Sequence, residues 1–349
     1  MTKERIIKYR EAVNEAHRQS LDKFKEAFIM GVGVADATGV FGTTKGLGAI
    51  FGERVFDTPM SENTLTGIGV GAAITGMRPV LVHTRNDFLL LTMDQIVNHA
   101  AKWRYMSGGA FAVPFLIRAI IGRGWGQAAQ HSQSLQSLFM HFPGLQVIMP
   151  VTPYDAKGMI LAAMESDKPT ICLEHRWLHD KSGLVPKKYY TVPIGKGRTA
   201  REGKDLTIVA ISEMVLEAEV AAIELEKEGI SVEIIDLRSL RPLDTELILN
   251  SVKKTKRLVV CDTSWKMAGA SAEILALVSE QAHSTLVAPP VRIALEDTPT
   301  PCSPALEALF YPNPETIIKT VRAMMKGKQQ FSKTKDASRF HPKPFTGPF

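Results

Sequence analysis

Asp57-Thr58-Pro59-Met60-Ser61-Glu62, running into Gly67-Ile68-Gly69-Val70-Gly71-Ala72-Ala73, decides how this chain is read. Pro59 makes a turn, and Ser61 stands as the N-cap of a helix expected to run through Thr75. Glu62 falls in the first helical turn, where aligned peptide dipoles favour a carboxylate. Taken alone, that acid needs no role beyond satisfying the helix. The glycine run describes a helix that presses closely on its neighbour, so the segments around it matter.

Upstream, residues 6–22 repeat apolar positions at helical spacing, and 27–34 form a short apolar run that reads as a buried strand ending in glycines. Downstream, 79–83 form a second strand that leads through Arg85-Asn86-Asp87-Phe88 into one long helix over 93–105. A third strand over 112–118 is followed by the loop 122–126 and by Gln130-His131-Ser132-Gln133-Ser134. Strands at 145–149 and 170–173 bracket a helix over 155–164. Such alternation implies a doubly wound parallel sheet. Around 184–203 the texture turns to Pro, Gly, Lys and Tyr. The alternation then restarts at Asp205 and closes with a helix over 315–325. The expected organisation is α/β throughout, with two doubly wound domains over 1–190 and 191–328 and an extended tail over 329–349.

The 349 residues suffice for two cores, and 45% hydrophobic with 22% charged residues is an ordinary globular mixture. A net charge of +6 would fit nucleic acid if it were concentrated. It is dispersed apart from the ends and Lys253-Lys254-Thr255-Lys256-Arg257, so a solvated face or an acidic protein partner is expected, and no nucleic acid. Cys172, Cys261 and Cys302 lie far apart without CxxC spacing, which argues against zinc and disulfides and for a reducing compartment. The N-terminus has no apolar signal core and no run reaches membrane-spanning length, so a cytoplasmic protein is expected.

In open α/β sheets chemistry sits beyond the carboxyl ends of the strands. Val32-Gly33, Glu62, Phe88 and the loop carrying His131 all fall there. The glycine pairs lack GxGxxG and GxxxxGK[ST] spacing, and neither GxSxG nor HExxH occurs. On residues alone, a single histidine is ordinarily structural and Phe88 is ordinarily core.

The ordered set Asp57–Glu62, Asp94-Gln95-Ile96-Val97-Asn98, Met106-Ser107-Gly108-Gly109, Gln130–Ser134, Pro143-Gly144-Leu145 and Pro153-Tyr154-Asp155-Ala156-Lys157-Gly158 resembles one family. It is similar to the beta subunit of the thiamine-diphosphate-dependent 2-oxo acid dehydrogenases, such as the pyruvate and branched-chain enzymes. The likeness continues through Tyr190–Lys196 and Ile235–Asp244 and spans nearly the whole chain to Met325. It implies a pyrimidine-binding domain followed by a transketolase-C-like domain. It further implies that Glu62 hydrogen-bonds the cofactor's aminopyrimidine, that Phe88 stacks on that ring beside Val32 and Gly33, and that His131 faces the substrate or acyl acceptor. A carboxylic acid at the pyrimidine drives the imino tautomer, whose own nitrogen then activates the thiazolium carbon.

The diphosphate–Mg²⁺ motif of such enzymes is missing here. The resemblance therefore implies an alpha subunit that carries it, an α₂β₂ assembly, and a lipoyl acyltransferase core as further partner. It also suggests K⁺ held by the backbone of Ala163, Ser166 and Lys168. Val32 stands where relatives usually carry a glutamate thought to link the two active sites. Arg85 and Asp87 bring charge where relatives have an acid-and-aromatic run, and Arg85 reads equally as an interface ion pair or as an anion contact. Three readings stay open: decarboxylation of a 2-oxo acid with transfer to a lipoyl acceptor, two-carbon transfer to an aldehyde or sugar by a two-subunit transketolase or carboligase, and a silent scaffold.

Overall fold

The structure is a computed structural model and describes residues 5–122 and 126–327. The proposed tail over 329–349 and Arg123-Gly124-Trp125 lie outside the described residues. In chain order the strands are β1 (Ile6–Lys8), β2 (Ala27–Gly31), β3 (Val55–Asp57), β4 (Arg78–His83), β5 (Leu116–Ile121), β6 (Gln146–Ile148), β7 (Thr170–His175), β8 (Ser182–Leu184), β9 (Arg198–Arg201), β10 (Leu206–Ala210), β11 (Val232–Asp236), β12 (Ser239–Arg241), β13 (Leu258–Trp265) and β14 (Val291–Leu295).

Contacts divide the chain into two units. One holds the chain up to Ile121 with Leu138–Lys196 and Arg238–Leu243; the other holds Gly122–Ser137, Gly197–Leu237 and the chain from Asp244. The first unit is built on a seven-stranded sheet of order β12-β6-β7-β5-β4-β2-β3. All neighbours are parallel except the antiparallel edge pair β12–β6. Its central strands are buried except for the half-buried Arg78 that opens β4, as expected where helices cover both faces. From β2 the chain goes to β3 on one side and then to β4 on the other. The winding therefore reverses at β2, and the crevice of a doubly wound fold opens outside the carboxyl ends of β2 and β4. The second unit has a five-stranded sheet of order β14-β13-β10-β11-β9, parallel except for β9.

The glycine-rich helix spans Glu62–Ile74. Its close approach is real: a β-carbon on Gly69 would lie 2.4 Å from Cζ of the buried Phe115. On Gly71 it would meet nothing within 4 Å. Gly69→Ala is therefore expected to lower stability by about 1–2 kcal/mol despite its better helix propensity, because overpacking costs more than the propensity returns. Gly71→Ala should be neutral or stabilising by up to about 1 kcal/mol. Paired denaturant curves check both signs.

The motif around Lys157 turns out to be structural. Helix Pro153–Glu165 is capped by Thr152, whose Oγ1 accepts from the Asp155 amide at 3.0 Å, while Asp155 Oδ1 accepts from Arg238 Nη1 at 2.7 Å. The buried Lys157 ammonium donates to Glu15 (2.6 Å) and to the carbonyls of Pro186 (2.7 Å) and Lys188 (2.9 Å). It thereby fixes the start of the proline-rich segment.

Three local expectations need correction. Ser61 sits at the N-cap position, but its hydroxyl bonds Thr64 Oγ1 at 3.0 Å and caps no backbone amide. The single helix expected over 93–105 is a π-helix, Gln95–Ala100, followed by a short α-helix, Trp103–Met106. The strand expected at 112–118 begins at Leu116, since Pro114 has no N–H to give to a ladder.

Candidate active site

Five of the residues singled out in the sequence stand on segments that leave the strands beside the switch point of the first sheet. Val32 and Gly33 follow β2, Glu62 opens the helix after β3, and Arg85 and Phe88 follow β4. Gly33 takes φ +76°, a conformation that glycine supplies without strain. Glu62 and Phe88 are half-buried, and Val32 is exposed. Phe88 rides a 3₁₀ helix, Asn86–Thr92. Among the described residues the site thus offers a carboxyl group, an aromatic face and open backbone on one rim.

The loop after β2 is held by side chains. Asp57, the last residue of β3, accepts from the Ala35 amide at 2.9 Å. Asp36 accepts from the Thr38 and Gly39 amides at 2.8 and 2.6 Å, and these bonds pull its carboxyl below the ordinary range. Val40 and Phe41 follow at φ +35° and +59°. Two successive non-glycine residues in the left-handed region are strained, and such strain persists where surrounding structure enforces it.

Against that loop lies a group the sequence reading missed. The Arg176 guanidinium, just beyond β7, lies 4.0 Å from the Phe41 ring centroid, and that of Arg85 lies 5.8 Å from it. Both arginines are buried. Burial, together with the charge of Arg85, pulls Arg176 down to about 10. Arg85 is lowered by burial, with Asp87 opposing. The position of Arg176 directly after a strand was the available signal. His83, the last residue of β4, was also overlooked; burial lowers it to about 4, so it is neutral near pH 7, and its Nε2 is buried without a hydrogen-bond partner.

His131 is not placed with these residues by chain segment. It is half-buried and belongs to Gly122–Ser137, which the contacts assign to the second unit. The carbonyl cluster suggested for K⁺ is partly engaged: Arg78 Nη1 donates to the carbonyls of Met164 at 2.8 Å and Ser166 at 3.1 Å. Among the described residues no group of three or more His, Cys, Asp or Glu side chains could hold a metal ion, and no helix is long and apolar enough to cross a membrane.

Comparison with known proteins follows the same division. Residues 5–180 match the model of the transketolase pyrimidine binding domain, and 195–317 that of the transketolase C-terminal domain. The chain is 43% identical over 326 residues to the beta subunit of the acetoin:2,6-dichlorophenolindophenol oxidoreductase of Cupriavidus necator, covering 90% of this chain and 96% of that relative. It is 42% identical to the pyruvate dehydrogenase E1 component subunit beta of Rhizobium meliloti, covering 90% of this chain and 69% of that one. It is 38% identical to the 2-oxoisovalerate dehydrogenase subunit beta of Bacillus subtilis, covering 91% and 98%. A split-gene transketolase solved as an inactive beta4 tetramer shares the fold, with TM-score 0.76, 23% identity, and coverage of 93% and 99%.

Proposed function

Since the chain belongs to the transketolase-like beta-subunit family of the 2-oxo acid and acetoin dehydrogenases, we propose that it supplies the pyrimidine half of a thiamine-diphosphate site shared with an alpha subunit. What supports this reading is that Gly33, Glu62 and Phe88 all stand on segments leaving β2, β3 and β4 beside one switch point. The donor set fits: an acid can exchange a proton with a ring nitrogen, an aromatic face can cover the ring, and glycine admits it close to the backbone. When bound, the cofactor supplies an electron sink for the pair released as a bond beside the substrate carbonyl breaks.

In this proposal Glu62 holds a proton at the pyrimidine nitrogen, Phe88 orients the ring, and Val32 and Gly33 line its edge. Arg85 attracts a substrate carboxylate, and His131 meets the acyl acceptor. Residues 1–190 make the pyrimidine-binding part and 191–328 the transketolase-C-like part. Mg²⁺ and the diphosphate belong to the alpha partner. A potassium site at Ala163, Ser166 and Lys168 would have to share the Ser166 carbonyl with Arg78.

The reaction is decarboxylation of a 2-oxo acid with transfer of the acyl group to a lipoyl disulfide. Carbon dioxide leaves, the acyl carbon is oxidised to a thioester, and the disulfide is reduced, one sulfur carrying the acyl group and the other a proton. A lipoyl acyltransferase core is the corresponding partner. The relatives named for acetoin favour a second reading, in which the bond broken in the substrate joins two non-carboxylate carbons. Names of dehydrogenase beta subunits support either over the carboligase alternative.

Reconstitution with the alpha partner decides. Pyruvate or 2-oxoisovalerate should acylate a lipoyl acceptor with release of CO₂. Turnover of acetoin alone would install the second reading, and ligation to an aldehyde without lipoyl acylation would remove both.

A further inference from the structure

Residues 131–136 of the second unit alternate in burial. His131, Gln133 and Leu135 are half-buried, while Ser132, Ser134 and Gln136 are buried. The backbone over 132–135 is neither helical nor paired in a sheet. Where burial alternates in this way, a shift of one residue along the chain would exchange the buried and the half-buried row. The half-buried row, His131 with it, therefore needs an anchor that holds it in register.

Gln136 is that fixture by its bonds. Its side chain is fully buried, and Nε2 donates to Asp262 Oδ1 at 2.8 Å and to Thr263 Oγ1 at 3.1 Å. Asp262 lies within β13, is itself fully buried, and is rigidly held. Its Oδ1 also accepts from the Ser264 amide at 3.1 Å, and its Oδ2 from the Ser271 amide at 3.1 Å, in the first turn of helix Ala270–Ala282. Burial raises its carboxyl above the ordinary value, and these N–H donors oppose that rise. A donor is therefore required at position 136, which glutamine provides and glutamate does not. At the other end of the segment Cys302 Sγ donates to the Gly126 carbonyl at 3.1 Å. The amide is the buried, charge-assisted tether and the thiol the weaker one.

We propose that Gln136, anchored on Asp262, is a positioning residue: it sets the register that presents His131 to the acyl acceptor. The proposal rests on the reading of His131 given above and adds the device that holds it. Gln136 touches no reacting atom; it acts through the chain between them.

The test uses the full-length chain and the assembled enzyme. Gln136→Met keeps the volume and removes both donors. By hydrogen-exchange mass spectrometry, peptides over 126–137 should exchange about tenfold faster or more, with β10 and β11 unchanged. In the assembled enzyme, lipoyl acylation should fall about tenfold or more through kcat, with KM for the 2-oxo acid unchanged. On a His131→Ala background the same change should add less than about twofold, since residues acting as one unit are not additive. Gln136→Asn keeps the donors on a shorter arm and should restore part of the loss. Should Gln136→Met prevent folding, Gln136→Asn carries the exchange and kinetic comparisons by itself.

Unchanged exchange with an impaired His131→Ala enzyme overturns the positioning role alone, as does full additivity of the two substitutions. If His131→Ala acylates the lipoyl acceptor at the wild-type rate, the reading of His131 fails and the proposal falls with it. In that event faster exchange would leave Gln136 as an anchor of the segment only.

Discussion

Glu62→Gln in the assembled enzyme is expected to lower turnover by about 10²- to 10⁴-fold, the usual worth of a positioned acid–base group. Glutamine keeps the size and a hydrogen-bonding carbonyl but cannot exchange a proton with a ring nitrogen. Glu62 is half-buried and opens its helix, so loss of its charge there should cost stability no more than about 1 kcal/mol. Melting temperature and assembly with the alpha subunit should therefore hold while activity collapses. Turnover within about twofold of wild type would remove Glu62 from the acid–base role and, with it, the proposed half-site.

The second large effect concerns stability. Arg118 on β5 and Glu174 on β7 are both fully buried and make two parallel bonds of 2.6 and 2.8 Å. Arg118 Nη1 also donates to His17 at 2.8 Å, and His179 Nε2 stands 3.4 Å from Glu174. Arg118→Met would strand a carboxylate in the core, a change that typically costs about 3–5 kcal/mol. Arg118→Met combined with Glu174→Leu should recover much of that loss, because neither partner is then left charged and alone. Equilibrium unfolding of both variants checks this; a double variant as unstable as the sum of singles would refute it.

The same cluster makes the fold acid-sensitive. The Arg118 guanidinium beside it holds Glu174 down at about 2 against burial, so its stabilisation is complete above the unfolded value near 4.5 and is lost as pH falls towards 2. Burial lowers His17 and His179, so below about 6.5 the unfolded chain takes up protons that the fold resists. Stability should therefore begin to fall below about pH 6.5 and fall faster below about 4.5.

The sequence made the strand–helix alternation and the rim of the first sheet legible for a common reason. Long apolar runs and residues directly after them depend on local pattern. Glu62, Phe88 and Gly33 follow strands, so their place beyond the strand ends could be read from order alone. What escaped depends on distant partners. Val55–Asp57, Arg198–Arg201 and Ser239–Arg241 are short, and only their neighbours in the sheet make them strands. Arg176 and Phe41 meet across a long stretch of chain. The bond from Gln136 to Asp262 likewise joins residues far apart in the chain, and nothing in the sequence near either announces it.

The edge strand β12 has a consequence for how this polypeptide can be made. It completes the seven-stranded sheet of the first unit, although the stretch of chain from 197 to 237, with β9, β10 and β11, comes off the ribosome before it. The amino-terminal unit must therefore wait, with the flank of β6 bare, until Arg241 has been translated. Two separately expressed fragments divided near residue 190 would leave that edge open to strangers, and co-expressed pieces would have to find each other to close it.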